Sequence, residues 1–178
     1  MAHRQQFDFV NRVKLMYPTS FFQKKVLEVG SLNINGTVRD FFTDCEYLGI
    51  DVGPGRCVDL VCEGQNLDHP DNTYDTTLSC ECFEHNPFWS ETFLNMHRMT
   101  KPNGLIFMSC ATTGRVEHGT SRTSPSDSPL TISNGWEYYK NLTEQDFREK
   151  MNIDDMFSKY KFEVGTTHPD LYFYGIKK

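Results

Sequence analysis

The sequence lacks the long apolar run that a membrane-spanning helix requires. Such a helix needs about 20 consecutive, mostly apolar residues, and no run of this kind occurs in the 178 residues. The first six residues, MAHRQQ, are not followed by the apolar core of a secretory signal peptide. These two absences predict that the chain has no membrane partner and stays in the cytoplasm.

An excess of positive charge is also missing. The chain has 18 Lys and Arg against 24 Asp and Glu, which gives a formal net charge of -6 at pH 7. Non-specific binding to nucleic acid depends on basic side chains that neutralise phosphates. We therefore do not expect a nucleic-acid partner, although a small basic pocket is compatible with this net charge.

Cysteines with the spacing of metal ligands are absent as well. None of the six cysteines forms a Cys-x-x-Cys pair, which is the spacing typical of zinc sites, and no other metal-ligand set is apparent. Several of the cysteines lie inside apolar runs, where a reduced thiol packs as a small hydrophobic side chain. We therefore expect reduced thiols and no bound metal.

Short apolar stretches recur along the chain with the length and composition of buried strands. The predicted strands are residues 25–29, 47–51, 57–62, 74–79 and 105–110, with a hairpin at 162–164 and 171–176. Between them, apolar residues at helical spacing predict helices at 5–16, at 36–42, after Asn86 and after Thr143. This alternation predicts an α/β fold with a mainly parallel sheet and a C-terminal antiparallel hairpin.

No internal repeat or low-complexity linker divides the chain, so residues 1–178 are expected to form a single domain. Residues 111–139 are rich in Ser, Thr, Gly and Pro and have no regular period. Connections of this length are often functional, so we expect this segment to lie on the substrate side. Arg115 and Arg122 in this segment are suited to a carboxylate or phosphate, and solvated loop charges are the alternative.

Gly30 directly follows the first predicted strand. A glycine at this turn has no Cβ and lets a ligand approach the backbone closely. Glu28, at the end of the same strand, can hold the turn or reach the ammonium group of a ligand. A generic turn between a strand and a helix remains the alternative interpretation.

Asp51 ends the second predicted strand. A carboxylate at this position can accept both hydroxyls of an adenosine ribose, whereas an exposed acid at the start of a loop is the alternative. A strand, a glycine turn, a helix and then an acid that ends the next strand together form a layout typical of nucleoside binding.

The glycines distinguish between two kinds of nucleoside cofactor. A dinucleotide site needs Gly-x-Gly-x-x-Gly so that a pyrophosphate can bind at the helix N-terminus. The residues after Gly30 are Ser-Leu-Asn-Ile-Asn, so the second glycine is missing. No Tyr-x-x-x-Lys pair for hydride chemistry is obvious either. An NAD-dependent oxidoreductase is therefore disfavoured, and a cofactor without phosphates fits better.

The region from Lys25 to Cys110 resembles the class I S-adenosylmethionine-dependent methyltransferases, in particular the compact type 11, or UbiE-like, family. Each matching piece is weak alone, but their order and spacing are specific. The pieces are Val26 to Gly36, Tyr47 to Val52, Glu63 to Leu67, Pro70 to Asp75, Ser79 to His85 and Met99 to Gly104.

The resemblance implies a Rossmann-like methyltransferase sandwich, with S-adenosylmethionine as cofactor and S-adenosylhomocysteine as product. It assigns a part of the cofactor to each of several residues. Gly30 and Ser31 would lie beside the methionine and ribose, Asp51 on the ribose hydroxyls, Val52 on the adenine face, Gly64 and Gln65 at the adenine edge, and Cys80 and Glu81 at the methionine.

Methyl transfer from a sulfonium is an in-line displacement that depends mainly on alignment. A base is needed only if the acceptor must lose a proton, and His85 is the predicted catalytic residue, with Glu84 and His118 as other candidates. Structural packing at a helix start is the alternative role for His85. We expect a small-molecule or glycan-type acceptor, and the alternative function is a non-catalytic S-adenosylmethionine- or nucleoside-binding regulatory module.

Overall fold

The computed structural model describes residues 2–178, and a seven-stranded sheet lies at its centre. The strands are β1 Lys25–Val29, β2 Glu46–Asp51, β3 Leu60–Val61, β4 Tyr74–Cys80, β5 Thr100–Ala111, β6 Phe157–Val164 and β7 Asp170–Lys177. Their order across the sheet is β3-β2-β1-β4-β5-β7-β6, with β7 antiparallel to both neighbours and all other pairs parallel. The predicted mainly parallel sheet with a C-terminal antiparallel hairpin is confirmed.

Five α-helices accompany the sheet, and short 3-10 turns occur in several of the connections. The helices are α1 Arg4–Met16, α2 Trp89–Met99, α3 Pro129–Ser133, α4 Glu144–Lys150 and α5 Ile153–Met156. The 3-10 turns are Pro18–Phe21, Val38–Phe41, Gly64–Asn66, Phe83–His85 and Pro125–Asp127. Within residues 2–178, no helix has the length and apolar character needed to cross a membrane.

Residues 36–42, predicted as a helix, form only the 3-10 turn Val38–Phe41. The Thr37 side chain caps this turn by accepting a hydrogen bond from the backbone N–H two residues later, at 3.1 Å. Beyond the turn the backbone becomes extended, and Thr43 forms a parallel bridge with Phe22. The helix prediction was wrong because this long-range pairing leaves room for only one turn.

Three strands differ from the prediction by more than one residue at a boundary, and one of them is β6, which begins at Phe157 rather than at Phe162. β3 has two residues instead of spanning 57–62, and both of its side chains are exposed at the edge of the sheet. β5 begins at Thr100, directly after α2, rather than at Leu105. Thr100 already pairs with Tyr74, but regular pairing resumes only at Leu105. Residues 101–104 therefore form an irregularity within the strand, where the sequence indicated only a helix stop.

The predicted caps have different outcomes. At α4, Thr143 and Asp146 form a capping box in which each side chain accepts a hydrogen bond from the other backbone N–H. At α2, Asn86 does not occupy the N-cap position, which belongs to Phe88. The Asn86 side chain instead accepts a hydrogen bond from the Phe88 N–H at 2.8 Å and stabilises a separate turn before the helix.

Apolar side chains cover both faces of the sheet. One layer lies between the sheet and the helices α2 and α4, and it includes Leu27, Ile50, Phe93, Ile106, Phe147 and Phe173. The opposite layer lies between the sheet and α1, and it includes Phe9, Val10, Val13, Val26, Leu78 and Phe107. The adjacent β1 residues Val26 and Leu27 belong to opposite layers, as the alternation of side chains along a strand requires.

Truncation of Phe93 is predicted to destabilise the fold strongly. Its ring is fully buried and contacts the rings of Phe147 and Phe173, whereas the neighbouring Leu94 is 42% exposed. We expect Phe93→Ala to lower the free energy of unfolding by about 3–5 kcal/mol. The matched control Leu94→Ala should change it by no more than about 0.5 kcal/mol. Urea denaturation measures both, and equal losses would contradict this packing.

Candidate active site

The carboxyl ends of β1, β2 and β4 meet at one edge of the sheet and form an open cleft. Ligands of open parallel sheets bind at this kind of edge. Seven of the predicted site residues line the cleft: Glu28, Gly30, Ser31, Asp51, Cys80, Glu81 and His85. Residues that come from separate strands and turns are therefore brought together, as the sequence predicted.

Gly30 has a backbone conformation that favours glycine, with φ at +80°. A Cβ built on Gly30 would lie 2.6 Å from the Cβ of Cys82, so a side chain at this position is excluded by packing as well. The N–H groups of Gly30 and Ser31 both donate to the carbonyl oxygen of Ile50, at 2.9 and 3.1 Å. These two hydrogen bonds attach the turn after β1 to the end of β2.

The Asp51 carboxylate is oriented by two backbone donors. Its Oδ2 accepts a hydrogen bond from the Leu32 N–H at 3.0 Å, and its Oδ1 accepts one from the Val52 N–H at 2.8 Å. Burial raises the pKa of Asp51, and the two N–H donors oppose that shift. Since a carboxylate offers about four acceptor positions, each oxygen retains capacity for a further donor from a ligand.

Glu28 is buried at the base of the cleft, and its Oε2 accepts a hydrogen bond from the Tyr47 hydroxyl at 2.8 Å. Burial raises the pKa of Glu28 to about 7. The Tyr47 hydroxyl and the Arg39 guanidinium act against this shift, whereas the nearby carboxylates of Asp51 and Asp59 reinforce it. Near neutral pH this carboxyl group is therefore present in both its protonated and its ionised form.

Glu81 belongs to a buried network of charged groups. The Nε2 atom of His3 lies 3.3 Å from both Glu81 Oε2 and Asp170 Oδ2, and the Ser109 hydroxyl donates to Glu81 Oε1 at 2.7 Å. Burial acts to raise the pKa of Glu81, but the contact with His3 and the Ser109 hydrogen bond hold it below its usual range. This carboxyl group is therefore ionised at neutral pH.

The structure does not favour the predicted anion-binding role for Arg115 and Arg122. The Nη1 atom of Arg115 lies 2.5 Å from Asp170 Oδ1, and this carboxylate is fully buried. Arg122 pairs with Glu117 and Glu137. Both guanidinium groups are thus paired with carboxylates of the chain itself, and their role towards a substrate stays a prediction.

His85 lies in the 3-10 turn after β4 and is almost completely buried. The rings of His118 and Tyr139 lie 5.0 and 5.6 Å away. Burial lowers the pKa of His85 to about 3, and the nearby His118 contributes to the shift. A neutral imidazole accepts hydrogen bonds, but a group with so low a pKa is a poor general base near pH 7.

Three predicted cofactor residues do not line the cleft: Val52, Gly64 and Gln65. A Cβ on Gly64 would lie 2.6 Å from Thr92 Cγ2 and 2.8 Å from Val29 Cγ1, so this glycine permits close packing between α2 and β1. The Gln65 side chain donates to Glu63 and accepts from Thr92. These contacts show a packing role for both residues of this turn.

Sequence reasoning missed several residues that line the cleft. Gln6 of α1 is one of them, together with residues 127–131, which belong to the long segment assigned to the substrate side. Within this group, Leu130 packs against Gly53, immediately beyond β2. No local pattern marks Gln6, because its position depends on how α1 packs on the sheet. The Ser- and Pro-rich composition of residues 111–139 was the available signal for the others.

Residues 28–108, just under half of the chain, match the methyltransferase domain family Methyltransf_11. No curated protein matches the chain in sequence. The match begins within β1 and ends within β5, so it includes the carboxyl ends of all three strands that form the cleft.

Several solved structures share the fold, and two of the following three are methyltransferases. The 1,6-didemethyltoxoflavin-N1-methyltransferase of Burkholderia thailandensis, solved with S-adenosylhomocysteine, is 13% identical over 100% of this chain and 92% of its own, with a TM-score of 0.60. Phosphoethanolamine N-methyltransferase 2 of Haemonchus contortus is 14% identical over 97% of this chain and 52% of its own, with a TM-score of 0.67. The YcgJ protein of Bacillus subtilis is 10% identical over 99% of both chains, with a TM-score of 0.62. At sequence identities this low, the similarity to these structures shows the fold alone.

Fold, cleft and family match together define the class of protein. The chain is an S-adenosylmethionine-dependent class I methyltransferase. Within this class, residues 28–108 match the domain model of the type 11 methyltransferases.

The raised pKa of Glu28 predicts a stability that falls as the pH rises. Up to the ordinary pKa of 4.5 the carboxyl group is protonated in both the folded and the unfolded chain. Between that value and about 7, the unfolded chain releases its proton more readily, which favours unfolding. Glu28→Gln should therefore stabilise the protein more at pH 8 than at pH 5, by about 2–3 kcal/mol.

Denaturation at the two pH values measures this difference without any cofactor. Glu149→Gln is the matched control, because Glu149 is exposed and the same change there should give no such pH dependence. If Glu28→Gln is equally stabilising or destabilising at both pH values, Glu28 ionises at an ordinary pH.

Proposed function

We propose that the cleft binds S-adenosylmethionine and that the chain transfers its methyl group to a small-molecule or glycan-type acceptor. The charge of the cleft lining is the observation that carries this proposal. Four acidic side chains, Glu28, Asp51, Glu81 and Asp127, line the cleft, and no Lys or Arg is among the described residues that do so. Such a lining suits a cationic nucleoside and disfavours the pyrophosphate of a dinucleotide.

The cofactor fits the donors and acceptors that the cleft presents. Asp51 is placed to accept the ribose hydroxyls, since its orientation is set by two backbone donors. Gly30 and Ser31 would contact the methionine and ribose, and Cys80 and Glu81 would lie at the methionine, where the ionised Glu81 attracts its ammonium group.

The remaining assignments concern the adenine. We retain Val52 for its face and Gly64 and Gln65 for its edge, at positions beyond the cleft lining. Val52 directly follows Asp51 and is half-buried. The adenine of a cofactor whose ribose is bound by Asp51 would therefore contact Val52.

S-adenosylmethionine supplies an electrophilic methyl group on a sulfonium that is already a good leaving group. The chain therefore needs to bind, align and shield the reacting groups, and alignment alone is worth up to about 7–11 kcal/mol in model systems. Residues 127–131 cover one side of the cleft and would exclude water from it. His85, the predicted catalytic residue, lines the same cleft and would lie beside the acceptor.

A second groove provides a site for the acceptor. It shares Ala2 and Asp127 with the cleft, and the side chains of His3, Arg115 and His118 also line it. Two of the structurally similar enzymes named above were solved with small-molecule ligands, 1,6-didemethyltoxoflavin and phosphomonomethylethanolamine. These ligands support a small molecule as the acceptor, and a glycan unit is the other candidate.

Removal of the Asp51 carboxylate is predicted to weaken cofactor binding. Asp51→Ala removes the proposed acceptor of two ribose hydroxyls, so we expect the affinity for S-adenosylhomocysteine to fall by about 10- to 100-fold, which corresponds to about 1.4–2.7 kcal/mol. The measurement is the rise in unfolding temperature that saturating S-adenosylhomocysteine produces.

Asp68→Ala is the matched control, because Asp68 is exposed and lies outside the cleft. It should retain the full ligand-induced rise in unfolding temperature. If a folded Asp51→Ala protein also retains it, the ribose assignment is wrong.

Turnover is tested separately with S-adenosylmethionine and a panel of amines, hydroxyl-bearing small molecules and sugars. Release of S-adenosylhomocysteine that depends on one acceptor would support the proposed reaction and identify its substrate. Binding of the cofactor without turnover across the panel would favour the non-catalytic module instead.

A further inference from the structure

Three side chains that are able to bind a metal ion converge beside the cleft. Glu84 and His85 are consecutive residues in the 3-10 turn after β4, and His118 comes from the long segment between β5 and α4. Each offers one ligand atom, and these atoms all lie within 4.8 Å of one another. The three residues, called the Glu-His-His cluster below, therefore come from two distant parts of the chain.

The Glu-His-His cluster is buried, and most of its polar atoms have no partner. The exposed fractions of Glu84, His85 and His118 are 0%, 2% and 8%. Among the described residues, no hydrogen-bond partner is found for either Glu84 oxygen, either His85 ring nitrogen or the Nε2 atom of His118. Buried polar atoms are normally paired, so these five atoms indicate that a ligand belongs at this position.

The one cluster nitrogen that does have a partner is oriented as in a metal site. The Nδ1 atom of His118 lies 3.1 Å from the carbonyl oxygen of Val116, to which an Nδ1–H would donate. Such a hydrogen bond selects the tautomer with a free lone pair on Nε2, the unpartnered atom. Metal-binding histidines commonly have this second contact to a backbone carbonyl.

Close packing of the long segment brings His118 to His85. A Cβ on Gly119 would lie 2.6 Å from His85 Cε1 and 3.1 Å from His85 Nδ1, and the φ of Gly119 is +63°. Only glycine fits readily under both conditions. The residue next to His118 is therefore one that lets the segment approach the His85 ring.

We propose that the Glu-His-His cluster binds a divalent metal ion, with Zn²⁺ as the best fit. Two histidines and one glutamate are a ligand set of catalytic zinc sites, which keep an open position for water or substrate. Ligands about 2.0–2.2 Å from a tetrahedral zinc ion lie about 3.4 Å apart. The ligand atoms lie within 4.8 Å of one another, so side-chain movements of up to about 1.4 Å would reach that value.

A second group of possible ligands, His3, His168 and Asp170, is a weaker candidate. The Arg115 guanidinium already lies 2.5 Å from Asp170 Oδ1 and also contacts His168. A fixed positive charge at this position opposes a second cation. The Glu-His-His cluster has no Lys or Arg ion pair among the described residues, so the metal is assigned there.

The place of the cluster also suggests what the metal does. His85 lines the cleft, and His118 lines the adjoining groove, so the ion would lie between the two. If the chain transfers a methyl group as proposed, the open coordination position of the metal would bind an oxygen atom of the acceptor. This oxygen would belong to a hydroxyl or carboxylate group. The metal would then hold the acceptor beside the methyl donor.

Metal content and titration test the site directly. The full-length protein is freed of metal with a chelator, titrated with ZnCl₂ and analysed by mass spectrometry, and we expect one tightly bound Zn²⁺ per chain. Glu84→Gln and His118→Ala should each lower the affinity for Zn²⁺ by at least about 100-fold. Loss of a residue that only orients a metal ligand already costs up to about 100-fold, and these two residues are ligands themselves. His69→Gln, a half-buried histidine outside the cluster, should bind Zn²⁺ as the wild type does.

The wild-type titration does not depend on whether a variant folds. Less than about 0.2 Zn²⁺ per chain, or equal binding by the His118→Ala and His69→Gln proteins, would overturn the proposal. Addition of Co²⁺ reports the ligand set, because a site with two nitrogens and a carboxylate gives visible absorption bands. A shift of these bands on addition of acetohydroxamic acid would support an open position, and unchanged bands would contradict it.

S-adenosylhomocysteine binding separates this inference from the proposed function. Protein that binds S-adenosylhomocysteine but no Zn²⁺ would overturn the metal site and leave the cofactor site intact. Protein that binds Zn²⁺ but not S-adenosylhomocysteine would support the metal site and contradict the proposed function.

Discussion

Burial of acidic groups at one edge of the sheet is the constraint on which the site depends. Four carboxyl side chains are buried among residues 2–178, namely Glu28, Glu81, Glu84 and Asp170, and all lie at or near the carboxyl ends of the parallel strands. Buried charge is costly unless it is paired or neutralised. Glu28 meets this cost by protonation, and Glu81 and Asp170 meet it through His3 and Arg115. Glu84 has no such partner, and burial raises its pKa to about 8, so without a cation it is protonated as Glu28 is.

This constraint joins the two ends of the chain to the methyltransferase domain. His3 precedes α1 and Asp170 begins β7, so both lie outside the 28–108 segment that matches the family. His3 stacks on His168 at 4.4 Å and lies 3.3 Å from Glu81, which directly follows β4. The cleft is thus formed by the central strands, while its charge balance depends on the N-terminal helix, the long segment and the final hairpin. Removal of the N-terminal end would take His3 away from both Glu81 and Asp170, and removal of the final hairpin would take Asp170 away from His3 and Arg115.

The strands and the acid and glycine of the cleft were predictable because local patterns encode them. An apolar stretch that ends at Gly30, and another that ends in Asp51, each need only a few neighbouring residues to be identified, and both residues line the cleft. Local periodicity wrongly predicted a helix at 36–42, where only a 3-10 turn forms next to the bridge from Thr43 to Phe22. Nor does a local pattern encode the Glu-His-His cluster, in which His118 is distant in sequence from the consecutive Glu84 and His85. Periodicity carries no information on such long-range contacts.

The central claim is that the acidic cleft selects S-adenosylmethionine over a phosphate-bearing nucleoside. Its most direct test is calorimetric titration of the purified wild-type protein with S-adenosylmethionine, S-adenosylhomocysteine and NAD. We predict micromolar binding of one equivalent of each of the first two and no measurable binding of NAD. Binding of NAD with similar affinity, or binding of neither sulfur compound, would contradict the claim.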